Sequence, residues 1–173
     1  MKPDLLLTGS KLLCAAVLAG VTAGCASTAS QLPVPYTVRF TASKDVNPDS
    51  RGRPSPIRLQ IFELKSATAF ESSDFFALQG NASATLGAEL IKNEQIMLRP
   101  GESADFSGGG NLQARQLGIV AEYRDLEANR WRVSIQLPEP RSTNFYKIWQ
   151  FSPGKKELQV SVGNGGLDVS PEK

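Results

Sequence analysis

Histidine is absent from this 173-residue sequence, and its two cysteines, Cys14 and Cys25, both lie within the first 25 residues. The lack of histidine removes the commonest general acid or base and the commonest neutral metal ligand. The rest of the chain has no thiol to act as a nucleophile, a disulfide partner or a metal ligand. With 19 Lys and Arg against 17 Asp and Glu, charge is nearly balanced, which disfavours nucleic-acid binding. These absences exclude much of the usual enzyme repertoire.

The sequence also lacks a hydrophobic run long enough to span a membrane. Residues 12–23 are uncharged and mostly apolar, but a membrane-spanning helix needs about 20 such residues. The run has the length of a secretory signal-peptide core. The small residues Ala23 and Gly24 precede Cys25, which resembles a bacterial lipobox, the site where the leader is removed and the cysteine receives lipid. Thr22 stands where an aliphatic residue is usual.

We therefore predict a signal peptide over residues 1–24 and covalent lipid on Cys25. Residues 25–35 are predicted to form a tether, because they are mostly small or polar and include prolines. The alternative is an ordinary signal peptide cut after Gly24, with the cysteine incidental. A lipoprotein cysteine carries several acyl chains, which together anchor a protein stably. Ala26, in place of an aspartate, favours sorting to the outer membrane by resemblance to bacterial lipoproteins.

From Tyr36 onward the dominant hydrophobic period is two, which is typical of strands with one apolar face. The strands predicted from this pattern cover residues 36–42, 57–61, 96–98, 104–106, 117–124, 131–137 and 158–162. Turns are expected at residues 99–102 and 164–166, where Pro, Gly and Asn occur. Seven or eight short strands are too many for one small sheet. We predict an all-β domain over residues 36–173, an antiparallel two-sheet β-sandwich.

Residues 66–90 break the strand pattern, because Phe and Leu recur there at spacings of three and four. Ser73 and Asp74 form a plausible N-terminal cap for a short helix ending near Gly80. We predict a short helical insertion that lies across one edge or face of a sheet. Its aromatic residues are interpreted as core filling.

No arrangement of residues predicts catalysis. The three glycines at 108–110 lack the Lys and Ser or Thr of a phosphate-binding loop. Asp45, Asp49 and Glu63 are too scattered for a calcium-binding loop. We therefore predict a protein that is not an enzyme, with no catalytic residue, no metal, no small-molecule substrate and no cofactor beyond the lipid on Cys25.

The link between the first two predicted strands, residues 44–56, is far longer than a hairpin loop of two to five residues. Binding sites are common on long loops held by a rigid scaffold. Three prolines restrict this loop, so a partner would order it at a smaller cost in entropy. Arg51 and Arg53 flank Gly52 and can offer bidentate forks to carboxylates. The composition of residues 44–56 is equally consistent with a partner-binding loop and with a solvated connector that binds nothing.

Several segments of this sequence occur in an order and with a spacing that are typical of one protein family. They are NPD at 47–49, GRPSPI at 52–57, IFELK at 61–65, DFFAL at 74–78, LRPGE at 98–102 and GIVAEYRDL at 118–126. Together with the leader, they resemble the type VI secretion outer-membrane lipoprotein family (TssJ, also called SciN).

The resemblance implies a transthyretin-like β-sandwich, anchored by acyl chains in the outer membrane and facing the periplasm. It implies that the protein docks the periplasmic C-terminal domain of the inner-membrane protein TssM, with TssL in the same membrane complex. In the family, the loop between the first two strands makes this contact. Carried onto this sequence, the partner-binding residues are Asp45, Val46, Asn47, Pro48, Asp49, Ser50, Arg51, Gly52 and Arg53.

A periplasmic lipoprotein that binds carbohydrate or peptide is the alternative, because sandwiches of this kind also serve as binding modules. Such a site would gather exposed aromatic side chains on one face, for example Tyr146, Trp149 and Phe151. A hydrolase using Ser or carboxylates has no supporting arrangement of residues.

Overall fold

The computed structural model describes residues 30–109, 111–143 and 155–170. The elements in these ranges are β1 (Ser30–Leu32), β2 (Tyr36–Ala42), β3 (Ile57–Leu64), α1 (Thr68–Ser72), α2 (Phe75–Leu86), a 3-10 turn (Gly87–Glu89), β4 (Leu90–Leu98), β5 (Ser103–Gly108), β6 (Gln116–Ala121), β7 (Arg132–Gln136), β8 (Arg141–Thr143), β9 (Lys156–Gly163) and β10 (Gly166–Ser170). The predictions for residues 1–24, Cys25, Tyr146, Trp149 and Phe151 lie outside the described residues.

Two four-stranded sheets form the body of the domain. Their strand orders are β10-β9-β2-β5 and β4-β3-β6-β7. Neighbouring strands within them are antiparallel, except that β2 and β9 run parallel, with Tyr36 opposite Lys156 and Ala42 opposite Val162. The predicted fold class, a mainly antiparallel two-sheet β-sandwich with a helical insertion, is confirmed.

The main core lies between the two sheets and comes from the apolar alternation of the strands. Val38 and Phe40 of β2 meet Leu59 of β3, Ile119 of β6 and Val160 of β9, and all five are buried. Burying a side chain of this size contributes about 1.5–3 kcal/mol. The alternation seen in the sequence therefore identifies the faces that hold the sheets together.

A second apolar cluster lies on the outer face of the β4-β3-β6-β7 sheet, under the two helices. Phe62 and Leu64 of β3 point toward the helices and pack with Phe70 of α1 and Leu78 of α2. Phe62 and Phe70 have ring centroids 5.8 Å apart. The helical insertion thus covers a sheet face, and β3 is buried on both sides.

The start of α2 and the break in its helical geometry agree with the prediction, but a second helical segment follows. Asp74 is the N-cap, and its side chain accepts a hydrogen bond from the Ala77 backbone N–H at 2.9 Å. Helical geometry is interrupted at Asn81, with φ −149° and ψ 55°, directly after the predicted end near Gly80, and a second helical segment then continues to Leu86. Contact of Leu86 with the apolar cluster under the helices explains why the chain resumes its helical path.

Covering β3 on both sides overturns the expectation that its polar residues face water. Gln60 is only 1% exposed, and its Nε2 donates to Glu122 Oε1 at 3.1 Å. Glu63 lies on the other face of β3, toward the main core, where it is buried and its Oε1 accepts a hydrogen bond from the Tyr36 hydroxyl at 2.6 Å. Buried polar groups are tolerated when they are hydrogen-bonded. The prediction of a solvent-exposed outer face on this strand was therefore wrong at Gln60, whereas Arg58 on the same face is exposed as expected.

Part of the predicted tether contacts the domain. Strand β1 pairs antiparallel with β8, with Leu32 opposite Arg141, and Val34 is buried. Among the described residues, no helix is long and apolar enough to cross a bilayer.

Candidate functional site

The long loop after β2 forms one wall of a cleft of about 780 Å³ at one end of the sandwich. Residues 47–51 and Arg53 line this wall. The facing wall is the β6–β7 loop, represented by Arg124, Asp125, Ala128 and Asn129, together with Asn164 of the β9–β10 turn. The cleft therefore brings three loops together, and we call it the loop-end cleft.

Asn47 and Val46 fix the first half of the long loop to the domain. Val46 is buried in the main core. Asn47 is also buried and has a φ of 49°, in the left-handed region that Asn tolerates better than most residues. Its Nδ2 donates to the carbonyl of Pro56 and its Oδ1 accepts from the backbone N–H of Arg124, both at 2.9 Å. The loop is consequently tied to itself and to the facing wall.

Asp49 organises the second half of the loop. Its Oδ1 accepts hydrogen bonds from the backbone N–H groups of Arg51 at 2.9 Å and Arg53 at 3.0 Å. Its Oδ2 accepts from Arg53 Nε at 2.8 Å, and the Arg53 guanidinium completes an ion pair. Hydrogen bonds from Arg53 hold the pKa of the Asp49 carboxyl below its usual value. Gly52, with a φ of 75°, allows the tight turn between the two arginines.

The two arginines therefore have different roles. The Arg53 fork, which we expected to be free for a partner, is already bound to Asp49. Arg51 is exposed, and no carboxylate within the described ranges lies close enough to form an ion pair with its guanidinium. Of the two arginines, Arg51 is thus the one whose guanidinium is available to a partner.

The predicted partner-binding residues all lie on this one loop, but they differ in exposure. Five are exposed: Asp45, Ser50, Arg51, Gly52 and Arg53. Pro48 and Asp49 are half-buried, while Val46 and Asn47 face inward. Any direct contact therefore falls on the exposed members, and the inward pair positions them. Partner binding by these residues stays a prediction.

The facing wall was not predicted. Asn129 donates from Nδ2 to the Asp125 carbonyl at 2.7 Å and accepts the Gly165 N–H on Oδ1 at 2.8 Å. Arg124 adds a third arginine side chain to the cleft, beside Arg51 and Arg53. The only signal in the sequence was the Asp and Asn spacing at residues 125–129, which is typical of a turn.

The facing wall is itself rigid. Arg130 Nε donates to the Leu167 carbonyl at 2.6 Å, and its guanidinium pairs with Asp168 at 2.9 Å. Gly166 has a φ of 117°, and a Cβ there would overlap the backbone of Arg130. Beneath the cleft, the Tyr123 hydroxyl donates to the Gly163 carbonyl at 3.0 Å, and burial raises its pKa well above the usual tyrosine value. The site is therefore a fixed polar surface.

Neither a metal centre nor a catalytic cluster defines this site. In the described ranges, no group of three or more Cys, Asp or Glu side chains is arranged to hold a metal ion. What the geometry offers is hydrogen-bond donors and arginine charge on a loop that is ordered before a partner arrives.

Comparisons with known proteins identify the family to which this chain is similar. A model of the type VI secretion lipoprotein family, described by the names VasD, EvfM and TssJ, matches residues 35–165. Lip from Serratia marcescens, described as a membrane-bound component of the Type VI Secretion System, is 37% identical with a TM-score of 0.71, over 82% of this chain and 100% of that chain. The T6SS lipoprotein TssJ1 from Pseudomonas aeruginosa is 33% identical with a TM-score of 0.70, over 82% and 99%.

A chain from the structure of the T6SS protein TssM C-terminal domain from EAEC is 22% identical with a TM-score of 0.62, over 78% of this chain and 99% of that chain, and shares the fold. The search of curated proteins gave no match. The matched family comprises structural lipoproteins of the secretion apparatus and is not an enzyme family. Because its model spans most of the sandwich and two relatives exceed 30% identity, this chain belongs to the type VI secretion lipoprotein family (TssJ, SciN).

Proposed function

We propose that this protein is the outer-membrane lipoprotein of a type VI secretion membrane complex and that it docks the periplasmic C-terminal domain of TssM. TssL belongs to the same complex in this proposal. Family membership supports the role in secretion, and the fold shared with a chain from the TssM C-terminal domain structure is consistent with the choice of partner.

The observation that carries the proposal is the ordered loop that presents Arg51. Asn47 and Asp49 hold the loop through five side-chain hydrogen bonds, so it keeps one shape without a partner. Ordering a flexible loop on binding would cost conformational entropy, and a preformed loop avoids most of that cost. An exposed guanidinium can then pair with a carboxylate of the partner in a bidentate geometry.

In the proposed role the protein binds its partner at a defined location and catalyses no reaction. Confinement to a membrane raises the effective concentration of the docking loop near its partner, and several copies in one assembly would multiply that effect. A contact of modest intrinsic affinity can therefore hold the assembly together.

Membrane attachment is proposed to come from several acyl chains on Cys25, which place the domain at the outer membrane, facing the periplasm. A Cys25→Ser protein should appear in the soluble periplasmic fraction, whereas the unaltered protein should remain with outer membranes. Recovery of Cys25→Ser with outer membranes would contradict the anchor.

The docking contact is tested by charge reversal. Arg51→Glu should weaken binding to the purified periplasmic domain of TssM at least tenfold, or about 1.4 kcal/mol, because an attractive pair becomes a repulsive one. Titration calorimetry measures the affinity, and a thermal melt should show an unchanged midpoint.

Lys65→Glu is the matched control, because it makes the same charge change on an exposed residue at the far end of β3. It should bind like the unaltered protein. Equal binding by Arg51→Glu and Lys65→Glu would place the partner contact elsewhere.

A further inference from the structure

The β1–β8 pair holds the N-terminal part of the described chain at one end of the sandwich. Leu32 pairs with Arg141, and the residues that follow, Pro33 and Val34, line a small crevice with Leu137 at the end of β7. The start of β2 lies in the same crevice. We call this end of the molecule the anchor end.

The loop-end cleft lies at the opposite end of the sandwich. Strand β2 runs from Tyr36 at the anchor end to Ala42, and the long loop begins directly after it. At a rise of about 3.3 Å per residue, these seven residues separate the two ends by about 20 Å.

The chain that joins Cys25 to the anchor end is short. Only residues 26–29 lie between Cys25 and Ser30. Even a fully extended chain advances at most about 3.5 Å per residue, so Ser30 can be no more than about 18 Å from the cysteine. That distance is smaller than the separation of the two ends of the sandwich. A lipid on Cys25 therefore keeps the anchor end close to the bilayer.

The side chains at this end suit a phospholipid surface. Leu112, in the loop between β5 and β6, is 39% exposed, one of the few large apolar side chains that face solvent. Arg141 of β8 and Lys155, just before β9, are exposed basic residues of this end. Glu139 and Asp105, the latter beside Lys155, are acidic residues of the same end. An exposed leucine can enter the interfacial region while basic side chains reach phosphate groups.

We propose that the anchor end rests on phospholipid headgroups, with Leu112 at the bilayer surface, and that the β1–β8 pair sets this orientation so that the loop-end cleft faces away from the membrane. The proposal rests on the lipid assigned to Cys25 in the proposed function. It goes beyond that function by naming the surface that meets the bilayer and the strand pair that orients the domain.

Single-cysteine labelling of the full lipidated chain tests the orientation. Cys14 lies in the predicted leader and the sulfur of Cys25 would carry lipid, so a dye should react only with an introduced cysteine. Leu112→Cys labels the anchor end and Ser50→Cys labels the loop-end cleft. In vesicles of zwitterionic phospholipid with a nitroxide on the headgroup, the dye at 112 should lose its fluorescence and the dye at 50 should keep it.

The strand pair is tested by a matched substitution in β1. Gln31→Pro removes a backbone donor from the three-residue strand and restricts its geometry, whereas Gln31→Ala keeps the donor. In the Gln31→Pro chain, quenching of the dye at 112 should fall and that of the dye at 50 should rise. The Gln31→Ala chain should behave like the parent.

The outcomes separate this proposal from the function on which it rests. A chain that fails to float with the vesicles would contradict the lipid anchor and, with it, the orientation. A chain that floats but shows equal quenching at both positions would overturn the orientation alone. Unchanged quenching in Gln31→Pro would show that β1 does not set the orientation.

Discussion

Asn47 and Arg124 are joined across the loop-end cleft by a hydrogen bond of 2.9 Å from the backbone N–H of Arg124 to Asn47 Oδ1. The two residues lie 77 positions apart in the chain. The Nδ2 of the same Asn47 side chain donates a hydrogen bond to the Pro56 carbonyl. One buried side chain thus fixes both ends of the long loop relative to the facing wall of the cleft.

Replacing this amide should loosen the loop and weaken the fold. Asn47→Ala leaves the Arg124 N–H and the Pro56 carbonyl without their partner and puts alanine at a positive φ. We expect a loss of about 1–3 kcal/mol in the free energy of unfolding, measured by urea denaturation, and faster hydrogen exchange at Arg124. Asp45→Ala is the control, since this exposed residue should tolerate truncation. Equal stability of the two variants would contradict the structural role of Asn47.

The Asp49–Arg53 pair should respond to acid with a defined sign. A carboxyl whose pKa is lowered in the folded state stabilises the fold above its ordinary pKa, about 3.9, and loses that contribution as pH falls through the lowered value. We expect the loop to stay ordered at pH 5 and to loosen only in stronger acid, as seen by NMR titration of the Asp49 carboxyl. Arg53→Gln should return that pKa toward the ordinary value. Arg51→Gln should not, because only the Arg51 backbone contacts Asp49.

The buried pair of Tyr36 and Glu63 makes stability depend on pH in the opposite sense to Asp49: its contribution is lost when the pH rises. Burial, followed by the hydrogen bond to Glu63, raises the pKa of Tyr36 far above its usual value. A group with a raised pKa stabilises the fold fully below its unfolded value, about 10, and loses that contribution as pH rises further. Phenolate absorbance from Tyr36 should therefore appear only as the protein unfolds in alkali.

The variant Tyr36→Phe tests the same pair at neutral pH. It removes the donor to Glu63, so a buried carboxylate loses a hydrogen bond of 2.6 Å. We expect a loss of about 1–3 kcal/mol in unfolding free energy by urea denaturation. A variant as stable as the parent would mean that water replaces the hydroxyl without cost.

The contact between β6 and the helical insertion depends on Gly118. A Cβ at this position would lie 2.8 Å from the Phe70 ring, so Gly118→Ala should force the ring and α1 away from the sheet. We expect destabilisation of about 1–3 kcal/mol. Gly80→Ala is the control: it adds the same methyl group within α2, where no atom lies within 4 Å, and should be neutral or stabilising. Thermal melts of both variants make the comparison.

Local patterns predicted much of this fold. Alternating apolar residues identified β2, β3, β7 and β9, because one face of each strand packs into the main core. Asp74 predicted the start of α2, since a carboxylate at that point can accept a backbone N–H. The two-residue turn of Asn164 and Gly165 between β9 and β10 was predicted from its residue types.

Features that depend on distant parts of the chain were not predicted. Nothing around Gln60 indicates that its face of the sheet is covered or that Glu122 supplies its hydrogen bond. Nothing around Glu63 indicates that it faces the main core and accepts a hydrogen bond from Tyr36. The engagement of Arg53 depends on how the loop turns at Gly52. Side-chain pairing of this kind is set by three-dimensional proximity, which hydrophobic periodicity does not report.

The parallel pairing of β2 with β9 has a consequence for how the protein matures. Strand β2 is the first strand of the two main sheets, yet one of its neighbours comes from the far end of the described chain. Until that late strand has been synthesised, an incomplete chain exposes an open hydrogen-bonding edge, which is prone to pairing with other polypeptides. Contacts between such distant segments also form slowly. A newly made chain therefore has an interval of vulnerability in which a holding chaperone would protect it from aggregation.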